Sequence, residues 1–300
     1  MAEKVFLKPD GAGVKGKIDL HMHTTVSDGT DTPEQILRNV KDAGIGLFSV
    51  TDHDAVKGGR IIKDLLKKGD PEFITGVEFS CRDSLGSYHI LGYGYDPDSD
   101  PVRRLVEEGH GYRMKKLGAR LDFLESEYGV RFSGQDVEKL YSLDNPGKPH
   151  IANLMVKYGY AETKEQAIKE YLDRMRSASE YVRPEEAIEG ITEGGGIPVL
   201  AHPSYGNGDQ LITGDDMEKR IRRLAGAGLS GLEAFYSGFT SKLTAEILSY
   251  AERFGMYVTA GSDYHGKNKM IRLGDTGFSP SDAAPAGMAR FLSDVKRLTV

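Results

Sequence analysis

Cysteine is nearly missing from this 300-residue chain: Cys81 is the sole example, so no intramolecular disulfide can staple the fold. No apolar run approaches the roughly 18 residues that span a bilayer, and Met1-Ala2-Glu3-Lys4 does not lead into the apolar core of a secretory signal. These absences create the expectation of a cytoplasmic protein with no membrane partner. An excess of basic charge is lacking too. Against 39 Lys and Arg stand 45 Asp and Glu, for a net charge of −6, so a broad basic face of the kind that holds duplex nucleic acid is not expected. Any anion site must draw its positive charge from a few concentrated groups. Repeats and low-complexity tracts are absent as well. The remainder, with 39% apolar and 28% charged residues, has length enough for one α/β barrel carrying an insertion.

The segment from Ile18 to Ser80 alternates between strand and helix patterns, the grammar of parallel β/α construction. Strands are expected at Lys17–His23, Leu47–Val50, Phe73–Ser80 and Tyr88–Tyr95. Thr32-Pro33-Glu34-Gln35 opens a helix with an N-cap, a proline in the first turn and a capping-box Gln. A basic amphipathic helix follows from Ala55 to Lys68. From about residue 101 to 194 the pattern turns helical, with Leu117, Leu121 and Leu124, then Ile151, Leu154, Met155 and Tyr158, at helical spacing. This stretch is expected to form a helical insertion capping the substrate, between two halves of a barrel at 1–100 and 195–300. Strands resume near Ile197–His202, Gly231–Phe235 and Met256–Gly261.

Six of the eight histidines, His21, His23, His53, His89, His202 and His265, fall at expected strand ends or just beyond them. Residues i and i+2 of a strand share a face, so His21 and His23 can converge on one ion. Asp28, Glu78 and Asp263 accompany them. In a β/α barrel the C-terminal strand ends form one mouth, where residues far apart in sequence meet. A lone strand histidine is ordinarily a packing or surface residue; six of them with three carboxylates point instead to a metal centre. Cys81, beside Glu78, reads more simply as a small buried thiol.

Asp19-Leu20-His21-Met22-His23 with Ser27-Asp28-Gly29, Thr51-Asp52-His53-Asp54, Gly76-Val77-Glu78, His89, Ala201-His202-Pro203 and Gly261-Ser262-Asp263-Tyr264-His265 occur in one order along the chain. In these stretches the sequence resembles the polymerase and histidinol phosphatase (PHP) superfamily of metal-dependent phosphoesterases. The resemblance implies a distorted (β/α)7 TIM-like barrel with two to three divalent ions (Mn, Fe or Zn) at its mouth. It assigns His21, His23, Glu78 and Asp263 to one ion, Glu78, His89 and His202 to a second, and Asp28, His53 and His265 to a third. Asp28, Glu78, Asp263 and His265 would carry the catalysis. The branch acting on nucleoside 3′,5′-bisphosphates and short 5′-phosphorylated RNA is the most similar, and residues 148–172 look like its helical insertion.

Three divalent ions and three carboxylates would leave such a mouth at about +3 inside an acidic protein, which attracts phosphate. Water bound to such ions, with its pKa lowered to about 7, would supply hydroxide without a Ser or Cys nucleophile. The expected substrate is a phosphorylated small molecule of the nucleotide class, with an AMP-like product, or short single-stranded RNA. Arg113, Lys116 and Arg120 share one helix face. Arg113 also aligns with an Arg of the related insertions, and Lys148 and His150 flank a helix start where phosphate binding is natural. A solvated stripe and a plain helix start are the bland alternatives. Asp52 or Asp54 is a candidate proton donor to the leaving oxygen. Where similar chains often continue His-Pro with Gly-Arg-Tyr, this one has Ser204-Tyr205-Gly206, and Tyr264 replaces a common Phe. A histidinol-phosphate or other small phosphomonoesterase, or a non-catalytic metal and nucleotide binding module, are the competing readings.

Overall fold

The structure, a computed structural model, describes the backbone of residues 5–6 and residues 14–175, 180–205, 211–279 and 283–297. Met1–Lys4 and Gly206, considered above, lie outside the described residues. A short antiparallel pair, β1 (Val5–Phe6) and β2 (Val14–Lys15), precedes the main elements. Then come β3 (Lys17–Asp19), α1 (Pro33–Asp42), β4 (Ile45–Phe48), α2 (Lys57–Leu65) and β5 (Glu72–Phe73), with the three strands parallel in the order β3-β4-β5. Helix α1 starts as its sequence requires: Thr32 accepts from the Gln35 N–H and Gln35 reaches back to the Thr32 N–H, a box worth about 1 kcal/mol. Ile36, Leu37 and Val40 then pack on Phe48, Val50, Ile62 and Phe73.

The expected strand Phe73–Ser80 is in fact two. After β5 the chain crosses to a second sheet and begins β6 (Gly76–Asp83), and the crossing passes so close to β4's continuation that a Cβ on Gly76 would lie 2.0 Å from Ser49 Oγ. From there β7 (Gly86–Tyr93) folds straight back. The connection is too short for a crossover helix, so β7 runs antiparallel to both β6 and β8, not parallel as the β/α reading implied. The reversal has a use: it brings the early part of β7, with His89, to the side where its neighbours end.

Helix α3 (Asp100–Tyr128) leaves the main body with Val102 and Leu105 in its core and ends with Leu117 and Leu124 in a separate cluster. That second cluster is completed by α4 (Gly134–Tyr141), α5 (Lys148–Lys157), and α6 (Lys164–Gln166) with the turns to Arg174 that continue it. α7 (Pro184–Glu193) returns to the main core through Ala187, Ile188 and Ile191. The remaining elements alternate: β8 (Ile197–Leu200), α8 (Gly214–Gly226), β9 (Gly231–Tyr236), α9 (Ser241–Arg253), β10 (Tyr257–Gly261) and α10 (Ala286–Asp294). The larger sheet has the order β10-β9-β8-β7-β6.

Extended segments beyond the short strands link the two sheets. Leu20 N–H donates to the Ala260 carbonyl at 2.9 Å and Asp263 N–H to the His21 carbonyl at 2.8 Å; on the other side Asp54 N–H donates to the Glu78 carbonyl at 2.9 Å. Among the described residues no helix is long and apolar enough to cross a membrane.

Candidate active site

Of the nine expected ligands, Glu78 and His89 lie within strands β6 and β7 and the other seven in the segments that follow β3, β4, β8 and β10; β7's reversal brings His89 beside Glu78. Glu78 sits at the centre. Its Oε2 is 3.2 Å from His21 Nε2, 3.1 Å from His23 Nε2 and 3.2 Å from His53 Nδ1, while Oε1 is 2.9 Å from His89 Nδ1 and 3.4 Å from His202 Nε2. Asp263 Oδ1 stands 3.3 Å from His265 Nδ1, 3.4 Å from His23 and 3.5 Å from His21. Asp28 Oδ1 is 3.2 Å from His265 Nε2 and 3.8 Å from His23 Nδ1. Among the described residues three groups of mutually close donor atoms result: His23, Asp28, His53 and His265; His21, His23 and Glu78; His53, Glu78 and His89. His23, His53 and Glu78 each belong to two of them.

The centre is paid for in unmet hydrogen bonds and strained backbone. His21 Nε2, His23 Nε2, His53 Nδ1, Asp28 Oδ1 and both Glu78 oxygens are buried without a hydrogen-bond partner, at about 1–3 kcal/mol for each such atom. Burial opposes ionisation of Glu78, but the imidazoles of His89, His21 and His53 outweigh it and hold its carboxyl well below the usual range. Asp54, His202 and Asp263 adopt positive φ of 47°, 27° and 58°, a region costly for side-chain-bearing residues and common where function demands it. Imidazole nitrogens and carboxylate oxygens gathered at one point without other hydrogen-bond partners fit divalent cations, and the mixture of imidazole and carboxylate is a transition-metal donor set.

Second partners orient the ligands. Glu233, fully buried on β9, takes the His21 Nδ1–H at 2.9 Å and the His202 backbone N–H at 2.8 Å, so His21 turns its Nε2 lone pair to the centre. The packing there is tight: a Cβ on Gly261 would come within 2.3 Å of Glu233 Oε1. Asp19 accepts from Ser262 N–H and Gly274 N–H, and burial lifts its pKa to about 6. Asp52 accepts from Thr24 and Ser27, bracing the loop that carries Asp28. Asp54 is engaged by Arg113 and the Ser80 N–H. Tyr236 and Lys269 both donate to Asp263 Oδ2. Glu233, Tyr236 and Lys269 escaped the sequence reading. A carboxylate within the apolar run Gly231-Leu232-Glu233-Ala234-Phe235 was the one available signal.

Two cavities open from the centre and share His53 and His89. One, of about 330 Å³, is lined by His202, Tyr205, Tyr236, Asp263 and Lys269. The other, of about 380 Å³, lies under the helical segment and takes in Asp28, Arg113, Lys116, Arg120, Lys148 and Tyr181. Of the residues expected to contact substrate, Arg113 is clamped by Asp54 at 2.6 Å and Ser80 Oγ at 2.7 Å, and Lys148 pairs with Asp173 at 2.5 Å. His150 Nδ1 accepts from the Gly147 N–H at 2.9 Å, a helix-start role, and does not line either cavity. Lys116 is buried with Nζ 3.3 Å from the centroid of the Tyr181 ring; burial, with Arg113 nearby, brings its pKa down to about 7. Asn145 ties the helical segment to the centre by donating to the His53 carbonyl. Cys81 is buried, as expected.

A family model described as the PHP domain matches residues 19–225, a span that carries seven of the nine clustered side chains. The chain belongs to the PHP domain family. It is 30% identical over 261 residues to a 5′-3′ exoribonuclease of Haemophilus influenzae, covering 86% of this chain and 93% of that one. It is 28% identical to a 3′,5′-nucleoside bisphosphate phosphatase of Chromobacterium violaceum, covering 83% and 87%. A phosphoribosyl 1,2-cyclic phosphate 1,2-diphosphodiesterase of Eggerthella lenta is also 28% identical, covering 83% and 94%. In structure it is similar to a Bifidobacterium adolescentis protein provisionally named a metal-dependent phosphoesterase, with TM-score 0.75, 26% identity, and coverage of 86% and 91%. This PHP chain is accordingly an enzyme of the metal-dependent phosphoesterase class.

Proposed function

We propose that this PHP enzyme hydrolyses phosphate esters of nucleotides, either nucleoside 3′,5′-bisphosphates or short 5′-phosphorylated single-stranded RNA. The observation that carries the reading is the adjacency of the His and carboxylate centre to a cavity walled by Arg113, Lys116, Arg120 and Lys148. A substrate with one phosphate at the centre and a second beneath the helical segment satisfies both. The phosphatase and exoribonuclease relatives support this class. The diphosphodiesterase relative favours a second reading, a cyclic or small sugar phosphate, which would leave the basic wall with less to do.

In this proposal His21, His23, Glu78 and Asp263 hold one ion, Glu78, His89 and His202 a second, and Asp28, His53 and His265 a third, with Mn, Fe or Zn as the metals. Divalent ions held there would polarise phosphoryl oxygens and make water nucleophilic near neutral pH. The chain's part is placement. Glu78 draws five imidazoles to one point, Glu233 selects the His21 tautomer, and Arg113, itself fixed by Asp54 and Ser80, offers its free guanidinium edge to a second phosphate. We further infer that the two sheets act as one distorted (β/α)7 barrel in a cytoplasmic enzyme. The insertion at residues 101–194, whose helices between Leu117 and Leu172 share a core of their own, would be its cap.

The deciding experiment is turnover of nucleoside 3′,5′-bisphosphates, mononucleotides, short 5′-phosphorylated RNA, cyclic sugar phosphates and histidinol phosphate by Mn(II)-reconstituted protein. Preference for substrates bearing two phosphates, or a phosphate and a second nucleotide, is the expected result. Equal or better turnover of a monophosphate with no second anionic group would overturn the nucleotide reading.

A further inference from the structure

Lys269 lines the smaller of the two cavities, not the one that takes in Arg113, Lys116, Arg120 and Lys148. It follows the short turn Gly266–Asn268 after β10, with Nζ 2.5 Å from Asp263 Oδ2 and a side chain 38% exposed toward the 330 Å³ cavity. Neutralising Asp263 does not use up this cation. Oδ2 already accepts from the Tyr236 hydroxyl at 2.9 Å, and Oδ1 faces His21 and His23. An ammonium has three donors; Asp263 engages one, and among the described residues Nζ has no other partner. Among the described residues lining this cavity, Lys269 is the sole Lys or Arg, and His202-Pro203-Ser204-Tyr205 brings no cation to it.

We propose that Lys269 is a substrate-binding residue that donates its remaining N–H groups to a non-bridging oxygen of the scissile phosphoryl group. The proposal rests on the reading that phosphate esters are turned over at the Glu78 centre. It gives the cleft two cationic walls with separate duties: the cap's wall takes the distal phosphate, and Lys269 takes the one that reacts. Removal of Lys269 should therefore weaken every phosphate substrate alike, with or without a second phosphate.

The test compares wild type with Lys269→Met and Lys269→Arg, full-length and loaded with Mn(II), by metal content, kcat/KM on a mono- and a bisphosphate, and calorimetric binding of inorganic phosphate. Lys269→Met should keep its Mn(II) and lose about ten- to a hundred-fold in kcat/KM on both substrates, the range for a charge-assisted hydrogen bond. Binding of inorganic phosphate should weaken about as much, and Lys269→Arg should restore most of it. Should Lys269→Met not fold, Lys269→Gln carries the same comparison. A variant that loses Mn(II) while its loaded fraction binds phosphate normally would overturn the proposal, leaving Lys269 as a prop for Asp263; so would a variant unchanged in every respect. Phosphate calorimetry keeps the two ideas apart. A wild type that turns over no ester refutes the functional reading, while the phosphate affinities of wild type and variant still decide the role of Lys269.

Discussion

Glu233→Gln is the substitution that most directly tests how the centre is organised, because it keeps shape and volume while changing two hydrogen bonds. The carboxylate accepts from His21 Nδ1 at 2.9 Å and from the His202 N–H at 2.8 Å, and both Glu233 and His21 are fully buried. A Gln cannot accept both. If its oxygen faces His21, its NH₂ meets the His202 N–H donor to donor, on a residue already held at a φ of 27°. In the flipped orientation the NH₂ faces His21 Nδ1, and the imidazole proton moves to Nε2, the atom 3.2 Å from Glu78 that is needed as a ligand. Either outcome removes a charge-assisted hydrogen bond worth about 1.5–3 kcal/mol. Loss of such a supporting contact ordinarily weakens metal binding by about 10- to 100-fold. Titration of metal-free protein with Mn(II), followed by calorimetry, should show one class of site weakened by that factor while the metal-free melting temperature changes less. Wild-type Mn(II) affinity in Glu233→Gln would refute the argument that Glu233 sets the His21 tautomer.

Asp28→Asn should lower metal content by about one ion and turnover by roughly two orders of magnitude, with partial recovery in excess Mn(II); retention of both by elemental analysis and rate would leave a two-ion site. Arg113→Ala should cost about ten- to a hundred-fold more on a bisphosphate than on a monophosphate, and equal losses would reject a second-phosphate role. The same variant strips buried Asp54 of its partner at 2.6 Å, so urea unfolding should show about 1–3 kcal/mol of lost stability. Lys116 supplies a pH test: its folded pKa of about 7 lies below the ordinary 10.5, so between those values the unfolded chain binds more protons and stability rises with pH. Urea midpoints should climb from pH 7 to 9 in wild type more than in Lys116→Met, and parallel curves would show that burial does not depress the pKa of this lysine.

The candidate ligand residues could be read from the chain because metal chemistry constrains residue type and the alternation of a strand constrains spacing. His21 and His23 share a face whatever surrounds them. The capping box at Thr32 and Gln35 was equally plain, since a helix start is settled within four residues. Reading failed where the outcome depended on partners distant in sequence. Phe73–Ser80 looks like one strand because periodicity continues through Gly76, yet the chain changes sheets there, passing so close to Ser49 Oγ that a Cβ at Gly76 would clash with it. β7 carries an ordinary strand pattern in either direction.

Residue type, order and local period were therefore determined by the sequence alone: six histidines and three carboxylates, the β/α alternation, and a helical stretch with Arg113, Lys116 and Arg120 on one face. Tertiary structure decided how these meet. It reversed β7 so that His89 joins Glu78, placed His23, His53 and Glu78 each in two donor groups, brought Glu233 behind His21, and set Lys269 against Asp263. The physical reason is range. Backbone periodicity and capping act over one or two turns, whereas a buried carboxylate finds its partner only after sheet pairing has closed a loop of some two hundred residues, as between His21 and Glu233.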